Sequence, residues 1–348
     1  MKLAMLVPYA GDVKTSAELV VALEAAGLDQ VFVPEAYSFD AVSVVGALAA
    51  LTSRIEIGTG VLNVYSRTPA LLGMTAAGCD AVSQGRFILG LGASGPQVIE
   101  GFHGVPYDTP LARIRETIEV VRMVLRREVL QYEGKALHIP LPAGQGTGLA
   151  KPLKLINHPV RSAVPIWWAS LMPKAVEATA EVADGWMPVF FIAERADSVW
   201  GEALGAGTAR RSAELGPLQV VAGGPVAIGD DAPVDRAREA VRKQAALYVG
   251  GMGARGKNFY NTVCTQYGWA DEARTVQDLY LDGKKAEAAA ALPAELVDGL
   301  HLTGPKGYVA ERIAAYREAG VTSLFVEPVE GTDPVRMITA LRELVDAG

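Results

Sequence analysis

The chain has 348 residues, half of them hydrophobic and 20% charged, which supplies a large core and excludes intrinsic disorder as the main state. Lys+Arg 32 against Asp+Glu 39 gives a formal net charge of −7, which argues against a general binder of nucleic acid or anionic membrane. The two cysteines, Cys79 and Cys264, stand far apart and form neither a CxxC metal pattern nor a disulfide framework, as expected in a reducing cytoplasm.

Leu3 to Tyr9 reads as a buried strand, too short for the apolar core of a signal peptide. No stretch approaches the ~20 apolar residues of a membrane span, so a cytoplasmic protein is expected. Ser16 to Ala26 has helical spacing closed by Gly27. Gln30 to Pro34 is strand-like and Asp40 to Leu51 helical. Ile55 to Val61 is strand-like, and Pro69 to Val82 is helical with proline in its first turn. Phe87 to Ala93 is strand-like, and Pro110 to Arg127 is an amphipathic helix. Short, wholly apolar strands alternating with helices imply a parallel sheet buried on both faces.

The rhythm breaks at 129–164. Val129 to Ile139 resembles a hairpin turning at Glu133-Gly134-Lys135, and a Gly/Pro-rich loop follows. The alternation resumes with strand Pro165 to Ala169, helix Pro173 to Ala183, strand Trp186 to Phe190 and helix Glu194 to Leu215. Strand Gln219 to Ile228 and helix Asp235 to Val249 come next. A second irregular region spans 250–302. Helix Pro305 to Ala319, strand Ser323 to Glu327 and helix Asp333 to Ala347 close the chain. Eight strands, each followed by a helix, predict an α/β fold, a (β/α)8 TIM barrel over 1–348 as a single domain. Its two insertions fall after helix four and before strand eight.

Gly90-Leu91-Gly92-Ala93-Ser94-Gly95 matches G-x-G-x-x-G, but it follows the fourth strand, and Pro96 interrupts any helix. The dinucleotide fingerprint therefore does not fit. Those glycines serve a tight turn or let N–H groups approach an anion, and the residues alone leave both readings open. His103, His138, His158 and His301 show no metal spacing, so no metal ligands are expected. Ser94 lies in G-A-S-G-P rather than a nucleophile elbow. Polar residues after the strands converge on the face where barrel active sites form. They are Glu35 and Asp40; Asn63, Tyr65, Ser66 and Arg67; Ser94, Gln97 and Glu100; Ser170 and Lys174; and Glu327 and Glu330. Adjacent Trp167 and Trp168 point to opposite faces, with core packing expected for both. Together with Trp186, Phe190 and Phe191 they suggest an apolar pocket wall.

Arg54 to Val61 (RIEIGTGV), Arg67-Thr68-Pro69 and Gln84 to Gly92 (QGRFILGLG) resemble the luciferase-like monooxygenase superfamily of flavin and deazaflavin barrels. Residues 93–122, 246–260 and 277–293 resemble its actinobacterial F420-dependent oxidoreductase branch. The resemblance implies coenzyme F420, or alternatively FMN, at the C-terminal face of the barrel. It implies a non-prolyl cis peptide at Gly60–Val61, backing the ring of the cofactor. It places the phosphate on Gly92, Ala93, Ser94 and Gly95, with Gln97 beside them, and on Ser170, Leu171, Met172, Pro173 and Lys174. F420 also carries a polyglutamate tail, for which Arg255, Lys257 and Lys174 are the expected cations. Glu35, Asp40 and Asn63 are the candidates for ring contacts or proton transfer. F420-dependent glucose-6-phosphate dehydrogenases have a His and a Trp after strand two and a Glu after strand four. This chain has Ala36, Asp40 and Gly95 there, which argues against sugar-phosphate oxidation. The expected function is hydride transfer to or from a small, apolar organic substrate, in a chain able to form a homodimer. An FMN-dependent monooxygenase with a separate reductase, and a non-catalytic flavin-binding protein, are the alternatives.

Overall fold

The computed structural model describes residues 1–8 and 12–347. Eight parallel strands close into a barrel: β1 Lys2–Leu6, β2 Gln30–Val33, β3 Glu56–Thr59, β4 Phe87–Gly92, β5 Ile166–Trp168, β6 Gly185–Trp186, β7 Gln219–Ile228 and β8 Ser323–Pro328. Each pairs with its successor, and β8 returns to β1 with Leu3 opposite Leu324. All four residues of β2 and all six of β4 are buried, as strands covered on both faces require.

Alternation along each strand divides the core in two. Ala4, Phe32, Ile88, Trp167 and Val221 meet inside the barrel, while Leu3, Val31, Leu89 and Trp168 face the helices outside. Trp167 and Trp168 thus do point to opposite faces, and both are core residues. The helices start where local chemistry dictates. Thr68 accepts from the Leu71 N–H in front of Pro69–Val82, and Asp12 caps Val13–Ala26, which Gly27 ends at φ 101°.

The predicted elements recur with shifted ends. β3 stops at Thr59, and Leu62–Asn63 forms a separate short pairing with β4. The strand predicted to Phe190 shortens to Gly185–Trp186, and the helix predicted to Leu215 ends at Thr208. The Tyr9 end of the first predicted strand lies outside the described residues. The first insertion contains the expected hairpin, with Tyr132 opposite Ile139 and Glu133 opposite His138. The second is more regular than the sequence suggests. Helices Phe259–Gln266, Ala270–Leu281, Lys285–Ala290 and Ala294–Gly299 fill it, followed by Leu302–Gly304, which pairs with the far end of β7. Asn258 starts the first of them by accepting from the Tyr260 and Asn261 N–H groups, and Ala273 and Val276 bury the second. Among the described residues, no helix is long and apolar enough to cross a membrane.

Candidate functional site

A cleft opens at the C-terminal ends of the strands, where a barrel builds its site. Its floor starts just past β3. The Gly60–Val61 peptide is cis, as the resemblance implies, and the Gly60 N–H donates to the Val33 carbonyl at 2.8 Å. Val61 then leans over β4. A Cβ on Gly92 would meet Val61 Cγ2 at 2.8 Å, and one on Gly90 would meet the Thr59 carbonyl oxygen at 1.8 Å. Gly90-Leu91-Gly92 is therefore glycine-rich because β3 and Val61 lie on it. The first two glycines of the motif thus have a packing reason of their own, and Gly92, expected to touch the phosphate, also carries Val61.

Leu6, Phe32 and Val61 give the cleft an apolar floor, and Phe190, Phe191 and Phe325 contribute apolar walls. Among its described lining residues, the polar side chains are Gln244, Tyr248 and Glu327, and none is a Lys, Arg or His. Glu327 is exposed to the cleft, and the partial desolvation that the surrounding protein imposes there raises its carboxyl above the ordinary value. Burial also raises Tyr248, helped by the charges of Glu327 and Tyr37. The Tyr248 ring is fixed edge-on against Phe190 at 5.6 Å and Tyr260 at 4.7 Å.

The three predicted catalytic residues lie elsewhere, each engaged in local structure. Glu35 accepts from Arg67 at 2.6 and 2.9 Å and from the Ala41 N–H at 3.0 Å. Asp40 caps helix Ala41–Leu51 through Ser43 and also pairs with Arg67. Burial opposes its ionisation, but Ser43 and Arg67 outweigh that and hold the carboxyl below its usual value. Asn63 Oδ1 accepts from the Tyr65 and Ser66 N–H groups at 3.0 and 2.7 Å, and its Nδ2 lies 3.4 Å from His103 Nε2. The structure thus brings Glu35, Asp40 and Arg67 together, as their strand-end positions suggest, but outside the described lining of the cleft. Glu35 and Asp40 are each held by the Arg67 guanidinium, and a carboxylate so paired is a poor proton carrier.

Two helix N-termini have the property an anion site needs. Gly95 precedes Pro96–Gly101 and Met172 precedes Pro173–Val182, and neither helix has a side-chain cap. Ser94 sits at φ 56°, with its carbonyl accepting from the Tyr107 hydroxyl at 3.1 Å. Ala93 is half-buried, and Gln97 is exposed. Ser170 is buried, with its Oγ 2.8 Å from Thr179 Oγ1 and its carbonyl bonded to Trp186 Nε1. The Leu171 carbonyl accepts from Trp200 Nε1 at 2.9 Å. These contacts fix the loop that presents the Met172 end. Lys174 lines a separate surface groove with Arg115, Lys135 and Arg210. Arg255 is paired with Asp278 at 2.8 Å, and Lys257 is exposed; neither lines the central cleft. Among the described residues, no group of three or more His, Cys, Asp or Glu is placed to hold a metal ion.

Sequence reasoning did not select Gln244 and Tyr248, which follow the seventh strand on an ordinary amphipathic helix and its last turn. Glu327 stands among the strand-end residues, but nothing local distinguishes it from Glu35.

Comparison with known proteins gives a consistent result. The chain matches the luciferase-like monooxygenase family over residues 1–323. It is 38% identical over 346 residues to a Mycobacterium tuberculosis protein assigned by name as a coenzyme F420-dependent oxidoreductase, covering 98% of this chain and 99% of that one. Its fold is similar to that of the coenzyme F420-dependent tetrahydromethanopterin reductase of Methanopyrus kandleri, with a TM-score of 0.77 at 21% identity, covering 98% of this chain and 96% of that one. It is also similar to an F420-dependent secondary alcohol dehydrogenase in complex with an F420–acetone adduct, with a TM-score of 0.73 at 17% identity, covering 100% and 99%. By its sequence match and its closed parallel barrel, this chain belongs to the luciferase-like monooxygenase family.

Proposed function

We propose that this chain is a coenzyme F420-dependent oxidoreductase that moves a hydride between the deazaflavin and a small apolar organic substrate. The observation that carries the reading is the cleft itself: an apolar floor of Leu6, Phe32 and Val61 at the Gly60–Val61 bend. The near full-length likeness to a protein named for F420 favours the deazaflavin over FMN.

The residues present fit such a cofactor. A flat aromatic ring needs an apolar surface on one face, and Val61, held in place by Gly90 and Gly92, supplies it. A phosphate needs unpaired N–H groups; the starts after Gly95 and Met172 open on proline and bond the Val98 and Ala175 N–H groups internally, which leaves the Gln97 and Lys174 N–H groups for it. An anionic tail needs cations, and Lys174 at the edge of the second of these helices supplies one. When bound, the deazaflavin provides a carbon centre that gives or accepts a hydride. The protein's task is to hold substrate carbon ~3 to 3.5 Å from it and to keep water out. Phe190, Phe191 and Phe325 do the latter. With no Lys, Arg or His among its described lining residues, the cleft favours an uncharged substrate over a phosphorylated one.

Equilibrium fluorescence titration of the purified protein with F420 and FMN tests this. F420 should bind at least about tenfold tighter than FMN, a difference of ~1.4 kcal/mol. Lys174→Glu should weaken F420 more than a deazaflavin lacking the tail. Tight FMN binding with no F420 signal contradicts the cofactor assignment.

A further inference from the structure

We propose that Glu327 is the residue that passes a proton to and from the substrate oxygen, and that the substrate is an uncharged carbonyl compound or the corresponding alcohol. This rests on the cofactor reading above and adds to it the proton side of the reaction.

Glu327 is on β8, in register with Pro225 of β7, and lines the same cleft as Gly60 and Val61. It is the one carboxyl among the described lining residues. It makes no hydrogen bond or ion pair among the described residues, whereas other acids near the barrel mouth are occupied. Glu35 and Asp40 bind Arg67, and Glu194 binds Arg312. Its side chain is exposed to the cleft and carries no partner among the described residues, so it is free to meet a substrate oxygen there.

The surroundings also set its proton affinity. No cation faces it from the described lining, and the titratable groups in its neighbourhood are Tyr248, which feels its charge, and Tyr37, which acts on Tyr248. Partial desolvation alone lifts the carboxyl above its ordinary value, so it holds a proton at higher pH than an ordinary glutamate. A protonated carboxyl can donate to a carbonyl oxygen, and the carboxylate can accept from a hydroxyl. Neither form suits an anionic substrate in a cleft whose described lining holds no cation.

In the reducing direction, the carbonyl carbon accepts a hydride, with its electron pair, from reduced deazaflavin. The C=O π bond breaks, and its electrons take the proton of Glu327 at oxygen. One C–H and one O–H bond form, and the substrate gains two electrons as the cofactor loses two. Glu327, left as carboxylate, regains a proton from solvent through the cleft mouth. Alcohol oxidation is the reverse, with Glu327 accepting the hydroxyl proton.

The test uses the full-length protein with Glu327→Gln and Glu327→Asp. Infrared difference spectra of wild type minus Glu327→Gln, taken across pH, read this carboxyl without any substrate. The proposal expects its protonated band to persist above the pH range in which an ordinary glutamate, at ~4.3, ionises. F420 affinity should change less than about threefold in Glu327→Gln, ~0.7 kcal/mol, because the residue serves the substrate. With reduced F420 and cyclohexanone, kcat should fall at least ~100-fold with KM nearly unchanged, and Glu327→Asp should recover part of the rate. An ordinary titration of the carboxyl, or a tenfold loss of F420 affinity, overturns the proton-transfer role. Absence of cyclohexanone turnover by wild type overturns the substrate class. Failure of wild type to bind F420 counts against the cofactor reading, whereas the infrared titration reads Glu327 independently of it.

Discussion

Replacing Gly90 with alanine is expected to destabilise the protein by at least about 3 kcal/mol, among the largest effects a single methyl group can have. The added Cβ would lie 1.8 Å from the carbonyl oxygen of Thr59, a backbone atom that no rotamer change can move. The same two residues are joined twice. The Gly90 N–H donates to Thr59 Oγ1 at 2.9 Å, and that hydroxyl donates to the Gly90 carbonyl at 2.8 Å. Accommodating the methyl means separating β3 from β4, breaking this pair and shifting Val61 above it. Urea unfolding should therefore show a much lower midpoint with an unchanged slope. Whatever fraction still folds should bind F420 poorly, because the floor of the cleft has moved. A midpoint within experimental scatter of wild type would mean that the strands are not packed as described.

Arg161→Ala is expected to cost about 3 kcal/mol for a different reason. Asp80, on helix Pro69–Val82, is fully buried, and Arg161 of the first insertion is its ion-pair partner. Two guanidinium nitrogens reach the carboxylate, and Nη2 also donates to the Phe87 carbonyl at 2.7 Å, at the start of β4. Truncating Arg161 strands a buried charge. Its side chain is 33% exposed, so water entering the gap keeps the cost at the low end for a buried pair. The double variant Arg161→Met, Asp80→Leu removes both charges and should recover more than half of the loss, because the desolvation penalty goes with them. Equal destabilisation of the single and double variants would show that shape, not charge, holds the insertion.

The barrel was legible because its strands are short apolar runs separated by helices with clear first turns, such as Thr68-Pro69. The position of the cis peptide came with the resemblance around Gly60–Val61, not from the residues' own pattern. The helices between 259 and 299 were missed because the segment opens on a glycine-rich stretch and contains short, Ala-rich pieces. Its one clear start signal, Asn258, is a lone cap. The site is harder to read in the sequence than the fold. Glu35, Asp40 and Glu327 look alike as acids that follow a strand. Arg67, 32 residues beyond Glu35 and 27 beyond Asp40, neutralises the first two and leaves the third alone. Partner choice at that separation depends on tertiary packing, which no local spacing encodes. Gly90 and Gly92 show the same limit. A glycine that makes room for Val61 cannot be told in sequence from a glycine that makes room for a phosphate.

The most direct test of the account is the crystal structure of the protein with F420. The account predicts the deazaflavin ring lying on Val61 at the Gly60–Val61 bend, with its open face toward Phe190, Tyr248 and Glu327. It predicts the phosphate between the loop at Ser94–Gly95 and the helix start at Met172–Lys174. A ring bound elsewhere, or one whose substrate-facing side is turned away from Glu327, would contradict it.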